Sequence, residues 1–137
     1  MTKEENIKND LIKKFPALDG KVAVKRARRI SMETRYEDFQ PIFEYAINNL
    51  GFTFLCTITG LDETPMIAFI YHLAQPQGVV LNIKTAVPKA DPIIKSVTRY
   101  FADADIYERE LEDLLGVKVQ GLPEGQRYPL PDNWPAG

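Results

Sequence analysis

The chain has 137 residues, of which 45% are hydrophobic and 26% charged, and a formal net charge of −2. That length and balance fit one packed globular domain and exclude global disorder; near-neutral charge also argues against a dedicated nucleic-acid binder, which shows a strongly basic face. A single cysteine, Cys56, excludes an internal disulfide framework and any zinc or iron–sulfur site built on cysteine pairs.

The first residues are polar, with no apolar segment behind a basic start. The longest apolar stretches, Phe52 to Ile58 and Met66 to Ala74, fall short of the roughly 20 residues a bilayer requires. The expected compartment is therefore the cytoplasm. Thr2 and Glu5 form a capping box, Ile7, Leu11, Ile12 and Phe15 recur at helical spacing, and Pro16 closes this first helix. Lys21 to Ile30 alternates Val22, Val24 and Ile30 against Lys25 and Arg29, which predicts one exposed strand. Phe39, Ile42, Phe43, Ala46, Ile47 and Leu50 form the apolar stripe of a second helix. Pro41 belongs in its first turn, so it should begin near Asp38 to Gln40, and Gly51 supplies the stop.

Three strands follow. Phe52, Phe54, Cys56 and Ile58 alternate with threonines, which makes Cys56 a small buried hydrophobe, and Gly60 to Pro65 reads as a turn. Met66 to Ala74 is apolar on both faces, and Val79, Leu81, Ile83 and Thr85 line one face of the next strand. Short connections between these runs favour antiparallel pairing. Asp91-Pro92 opens a predicted helix striped by Ile93, Ile94, Val97, Tyr100 and Phe101. Asp105 and Glu108 form a second capping box for a helix that Gly116 ends, and Val117 to Val119 completes the pattern with a short strand. Helices spaced around a strand meander predict an α+β domain in two layers, helices packed on a mixed, mainly antiparallel sheet. It spans residues 1–120. Residues 121–137 hold four of the ten prolines and three of the eight glycines, together with Tyr128, Leu130 and Trp134. They read as a stiffened C-terminal docking arm.

At about 100° per residue, the helix from Ile106 to Leu115 puts Tyr107, Leu111, Leu114 and Leu115 on one apolar sector, with Glu110 inside it near 40° from Ile106. Glu110 is thus expected to be buried and tied to the sheet or the arm, with Arg99, Arg127 and Lys84 as candidate partners. Glu108, Arg109, Glu112 and Asp113 take the solvent arc, where Arg109 and Asp113 can form an exposed ion pair of little consequence. His72, the only histidine, lacks the Cys or clustered acidic neighbours of a metal site and reads as a hydrogen-bonded structural residue. The basic run Lys21, Lys25, Arg26, Arg28 and Arg29 carries no interleaved aromatics for base stacking; charge on an edge strand, or an acidic partner, explains it more cheaply.

The run from Phe69 to Pro123 resembles the 30-kilodalton subunit family of respiratory complex I, the NADH-quinone oxidoreductase. The resemblance rests on Tyr107-Glu108-Arg109-Glu110-x-x-Asp113-Leu114-Leu115-Gly116-Val117, supported by Tyr71-His72-Leu73, Ser96-Val97-Thr98 and Leu122-Pro123. It covers residues 38 to 134. Family members usually follow the signature with Gly-His-Pro and an Arg-Arg pair; this chain has Gly121-Leu122-Pro123 and, of the pair, Arg127 alone. That departure, with the short length, leaves two branches open: a quinone-linked enzyme, or the related small subunit of energy-converting nickel–iron hydrogenases.

The resemblance implies a docking subunit without catalytic, cofactor-binding or metal-binding residues of its own. It implies packing against the 49-kilodalton or hydrogenase large subunit beside the iron–sulfur subunits, with attachment to the inner face of the cell membrane through the complex. The expected partner face comprises Tyr107, Glu108, Arg109, Glu110, Asp113 and Gly116, with Arg127, Tyr128 and Trp134 from the arm. An exposed partner face also allows homo-oligomers of the isolated chain. The competing expectation is a free-standing enzyme using Cys56, His72 or the acidic helix.

Overall fold

Thr2 Oγ1 accepts a hydrogen bond from Glu5 N–H at 3.1 Å and opens helix α1 (Lys3–Lys14), which buries Ile7 and Leu11. The computed structural model describes residues 2–122. A hairpin follows, β1 (Val22–Arg26) and β2 (Arg29–Glu33), where the alternation suggests one strand. Its two-residue turn is made possible by Arg28, whose φ of 63° lies in the left-handed region and which the sequence pattern does not flag. Helix α2 (Tyr36–Asn48) begins earlier than Pro41 suggests. The Arg35–Asp38 pair at 3.0 Å and the acidic first turn favour the earlier start. Pro41 then sits within the helix on its exposed side, where water can serve the carbonyl left without a donor.

Strands β3 (Phe54–Glu63), β4 (Met66–Ala74) and β5 (Val80–Pro88) complete a five-stranded sheet of order β1-β2-β5-β4-β3. Within this sheet, among the described residues, the β2–β5 pair alone is parallel. The sheet is mixed and mainly antiparallel, as expected. The predicted turn from Gly60 is instead strand as far as Glu63, because Gly60 to Glu63 pair in register with Phe69 to Met66. The expected helix after Asp91-Pro92 is also absent. Ile93–Lys95 (β6) pairs in parallel with Lys118–Gln120 (β7), and Val97, Tyr100 and Phe101 belong to tight turns closed by bonds to Val97 O. Their i, i+3, i+4 spacing fits one turn as well as a helix.

One face of the sheet carries the core. Ile30 stands opposite Leu81, Met32 opposite Ile83, and Ile58 opposite Tyr71, all buried. Rings from α2 cover them, with Phe39 4.6 Å and Phe43 5.5 Å from the Tyr71 centroid. Helix α3 (Ala104–Leu115) lies over β3, ending at Gly116 with a left-handed φ of 69°, a conformation glycine adopts freely. The other sheet face, with Ser31, Ile70, His72, Asn82 and Lys84, stays half-exposed.

Candidate functional site

Two carboxylates one helical turn apart pin α3 to the small ribbon of β6 and β7. Glu108 has no exposed surface; it accepts hydrogen bonds from Ser96 Oγ at 2.7 Å and from Val97 N–H at 2.8 Å. Glu112 accepts from Val119 N–H at 3.2 Å. Ser96 N–H in turn donates to Gln120 O across the ribbon at 2.8 Å. Burial pushes the Glu108 carboxyl above its ordinary pKa; the Ser96 and Val97 donors oppose that rise, while nearby Asp105 and Glu112 add to it. The predicted capping box does not form: the cap position is Asp103, and Glu108 turns to Ser96 and Val97 instead. Beside this anchor, Tyr36 Oη accepts from Lys95 N–H at 2.6 Å. The Tyr71 hydroxyl is fully buried and finds no hydrogen-bond partner among the described residues, and burial, with Tyr36 and Glu108 nearby, holds its pKa well above the ordinary value.

The burial of α3 therefore reverses the sequence reading. Glu110 is exposed, and two of its candidate partners are engaged elsewhere: Arg99 with Glu44 at 2.7 Å and Lys84 with Glu63 at 3.2 Å. Facing the sheet are Ala104, Glu108 and Leu111, with Tyr107, Arg109 and Leu115 half-buried at the margins. Leu111 and Leu115 pack so closely on Gly60 that a Cβ there would meet their methyls at 2.6 and 2.5 Å. Facing outward are Ile106, Glu110, Asp113 and Leu114, with Ile106 43% and Leu114 80% exposed. A leucine left open beside a fully buried glutamate means that the apolar surface of this helix exceeds what the domain covers.

The other candidates fall away from this helix. His72 binds Thr59 Oγ1 through Nε2 at 2.9 Å and Asn82 Oδ1 through Nδ1 at 2.7 Å, so both ring nitrogens serve the sheet. Cys56 is exposed rather than buried, because the register shifts between Leu55 and Thr57 and releases it from the alternation. The groove that His72 lines contains Lys25, Ser31 and Asn82 but not Cys56. Among the basic run, Lys25, Arg26 and Arg28 are exposed on or beside β1, the opposite edge of the sheet. A cleft between α2 and the turn after β6 has Glu44 at its side. The Tyr100 hydroxyl, then Gln40 and Arg99, hold that carboxyl below its ordinary pKa. Among the described residues, no group of three or more His, Cys, Asp or Glu side chains could hold a metal ion. Nor is any helix there long and apolar enough to cross a membrane. Arg127, Tyr128 and Trp134, with the arm beyond Leu122, lie outside the described residues.

Sequence reasoning missed Glu112 and Ser96 as anchors. The i, i+4 pairing of Glu108 with Glu112 is visible in the sequence, but it reads as a solvated face unless the ribbon beneath it is known.

Residues 32–137 match the family model described as respiratory-chain NADH dehydrogenase, 30 Kd subunit. The chain is 30% identical over 129 residues to a subunit of the F(420)H(2) dehydrogenase of Methanosarcina mazei, covering 89% of this chain and 82% of that protein. It is 34% identical over 87 residues to a subunit of the NADH-quinone oxidoreductase of Moorella thermoacetica, covering 61% of this chain and 59% of that relative. Among solved structures, an Nqo5 trypsin-resistant fragment superposes with a TM-score of 0.72 at 25% identity, over 88% of this chain and 97% of the fragment. A chain of the membrane-bound sulfane sulfur reductase, an archaeal respiratory membrane complex, shares the fold at 24% identity, with a TM-score of 0.78 over 96% of this chain and 79% of its own length.

Proposed function

The chain belongs to the 30-kilodalton subunit family of respiratory-chain NADH dehydrogenase, which makes it a subunit of a complex I-like assembly, and we propose that its task there is docking. The outward face of α3, from Ile106 through Glu110 and Asp113 to Leu114, is the contact surface. The partner is the 49-kilodalton or hydrogenase-type large subunit, with its iron–sulfur neighbours, and the chain itself contributes no redox cofactor. Attachment to the inner face of the membrane comes through the complex.

The observation that carries this reading is Leu114, 80% exposed on a helix whose opposite side is fixed by Glu108. A helix held rigidly from beneath presents its outer side chains in one register, which lowers the ordering cost of association. Relatives of similar identity are named for F420H2, NADH and NAD(P)H, which supports a scaffold whose role does not depend on the electron donor. The test is co-expression with the large subunit. Leu114→Asp should leave the far-UV spectrum and thermal transition unchanged while abolishing co-purification, because a desolvated carboxylate opposite an apolar surface is strongly unfavourable. Undiminished co-purification of that variant refutes the docking face.

A further inference from the structure

The sheet has two edges, and they are finished differently. Strand β1 is short, irregular near Val24 and Arg26, and carries Lys25 and Arg26, all devices that discourage pairing. Strand β3 is ten residues long, and among the described residues no strand pairs with its outer side. From Thr57 to Glu63 its register is regular, and it carries no charge before Asp62. Asp62 and Glu63 are themselves neutralised by Lys89 and Lys84. Phe54, 56% exposed, and Leu61 stand open along the same strand. An uncharged, extended edge with exposed apolar side chains is a template for another strand.

We propose that the outer edge of β3 is a strand-addition site, filled in the assembly by an extended segment of the large partner subunit that carries lysine or arginine toward α3. The proposal rests on the docking reading above. The occupant follows from charge. Helix α3, which lies over β3, carries four carboxylates that reach its surface, Asp105, Glu110, Glu112 and Asp113, against Arg109 alone. A second copy added edge to edge would bring its own α3 beside the first, acidic helix against acidic helix, which disfavours a symmetric pair. A basic extended segment meets complementary charge on the helix layer, satisfies the free backbone groups of β3, and covers Phe54 and Leu61.

Hydrogen–deuterium exchange, compared between the isolated full chain and the assembled complex, tests this directly. Strand addition slows exchange of the outward amides between Thr57 and Leu61 by about tenfold or more, and slows alkylation of Cys56 by N-ethylmaleimide by a similar factor. Zero-length carbodiimide coupling then joins Glu110 or Asp113 to lysines of the large subunit. Unchanged exchange and alkylation on assembly overturn the proposal. So do couplings that return only to a second copy or to this chain's own residues 123–137. Leu114→Asp separates the two readings: if it disrupts the complex while β3 proves equally exposed in the intact one, strand addition fails and α3 docking stands.

Discussion

Replacing Glu108 by alanine should destabilise the chain by about 3–5 kcal/mol, while the same change at Glu110 should cost no more than about 0.5 kcal/mol. Glu108 is fully buried with donors at 2.7 and 2.8 Å, whereas Glu110 is exposed. A hydrogen bond to a charged group contributes roughly 1.5–3 kcal/mol, and a stranded buried N–H, here that of Val97, costs about 1–3 kcal/mol. Removing a desolvated carboxylate also relieves its own burial cost, which keeps the total below the sum of its bonds. Glu108→Gln separates charge from shape and brings in pH. Because burial raises Glu108 in the folded state, the folded chain carries more protons than the unfolded chain between the two pKa values. Its contribution is therefore complete below the unfolded value of about 4.3 and declines as pH rises through the folded one. The glutamine variant lacks that slope, so it gains on the parent chain across this window. Glu44 and Asp62, held below their ordinary values chiefly by Tyr100 and Lys89, slope the other way, but both chains contain them and they cancel in the difference. Urea denaturation followed by far-UV circular dichroism, from about pH 4 to about pH 8, measures both effects. Greater destabilisation by Glu110→Ala, or a Glu108→Gln difference that ignores pH, refutes the anchor.

Gly60→Val should cost about 2–3 kcal/mol and Gly60→Ala about 1 kcal/mol, since the added groups displace Leu111 and Leu115; equal stability of the three chains in urea contradicts that packing. His72→Ala should lower stability by only about 1 kcal/mol, because Thr59 and Asn82 sit on a half-exposed face where water replaces the imidazole, and calorimetry reads the change. Cys56 should react with Ellman's reagent in the native isolated chain without denaturant, to one equivalent; a thiol that titrates only after unfolding would restore the buried position its alternation suggested. Thr2→Ala should speed amide exchange within α1 and leave α3 unchanged, consistent with a cap contribution of about 1 kcal/mol.

What the sequence made legible were the elements whose signals are local. The Thr2 cap, the α2 stripe, the apolar run of β4, the alternation of β5 and the Gly116 stop depend on nearby residues, and each appears in the structure. What it concealed depends on partners distant in the chain. Ile93 to Lys95 became strand because Lys118 to Gln120, more than twenty residues on, offer a parallel edge. Cys56 left the core through a shift in pairing with β4 that no alternation within β3 can show. The family resemblance marked the signature helix correctly without saying which of its acids is structural.

The reversal at α3 has a physical cause. With Ile106 at the origin and about 100° per residue, Ile106, Glu110 and Leu114 fall between 0° and roughly 80°, and Leu111, Ala104, Leu115 and Glu108 between about 140° and 200°. Hydrophobicity alone places the core near the middle of that whole sector, which puts Glu110 inside. The fold buries only the far half. A helix bearing apolar residues over nearly 180° needs two surfaces to cover them. The sheet supplies one through Gly60, the β6–β7 ribbon adds the anchors at Val97 and Val119, and Ile106 with Leu114 is left over for a surface outside the described fold. The buried Glu108 makes that division firm: rotating the helix to hide Leu114 would strand the Val97 N–H and draw Glu108 off its donors, so exposure of Leu114 is the lower-energy arrangement of this domain alone.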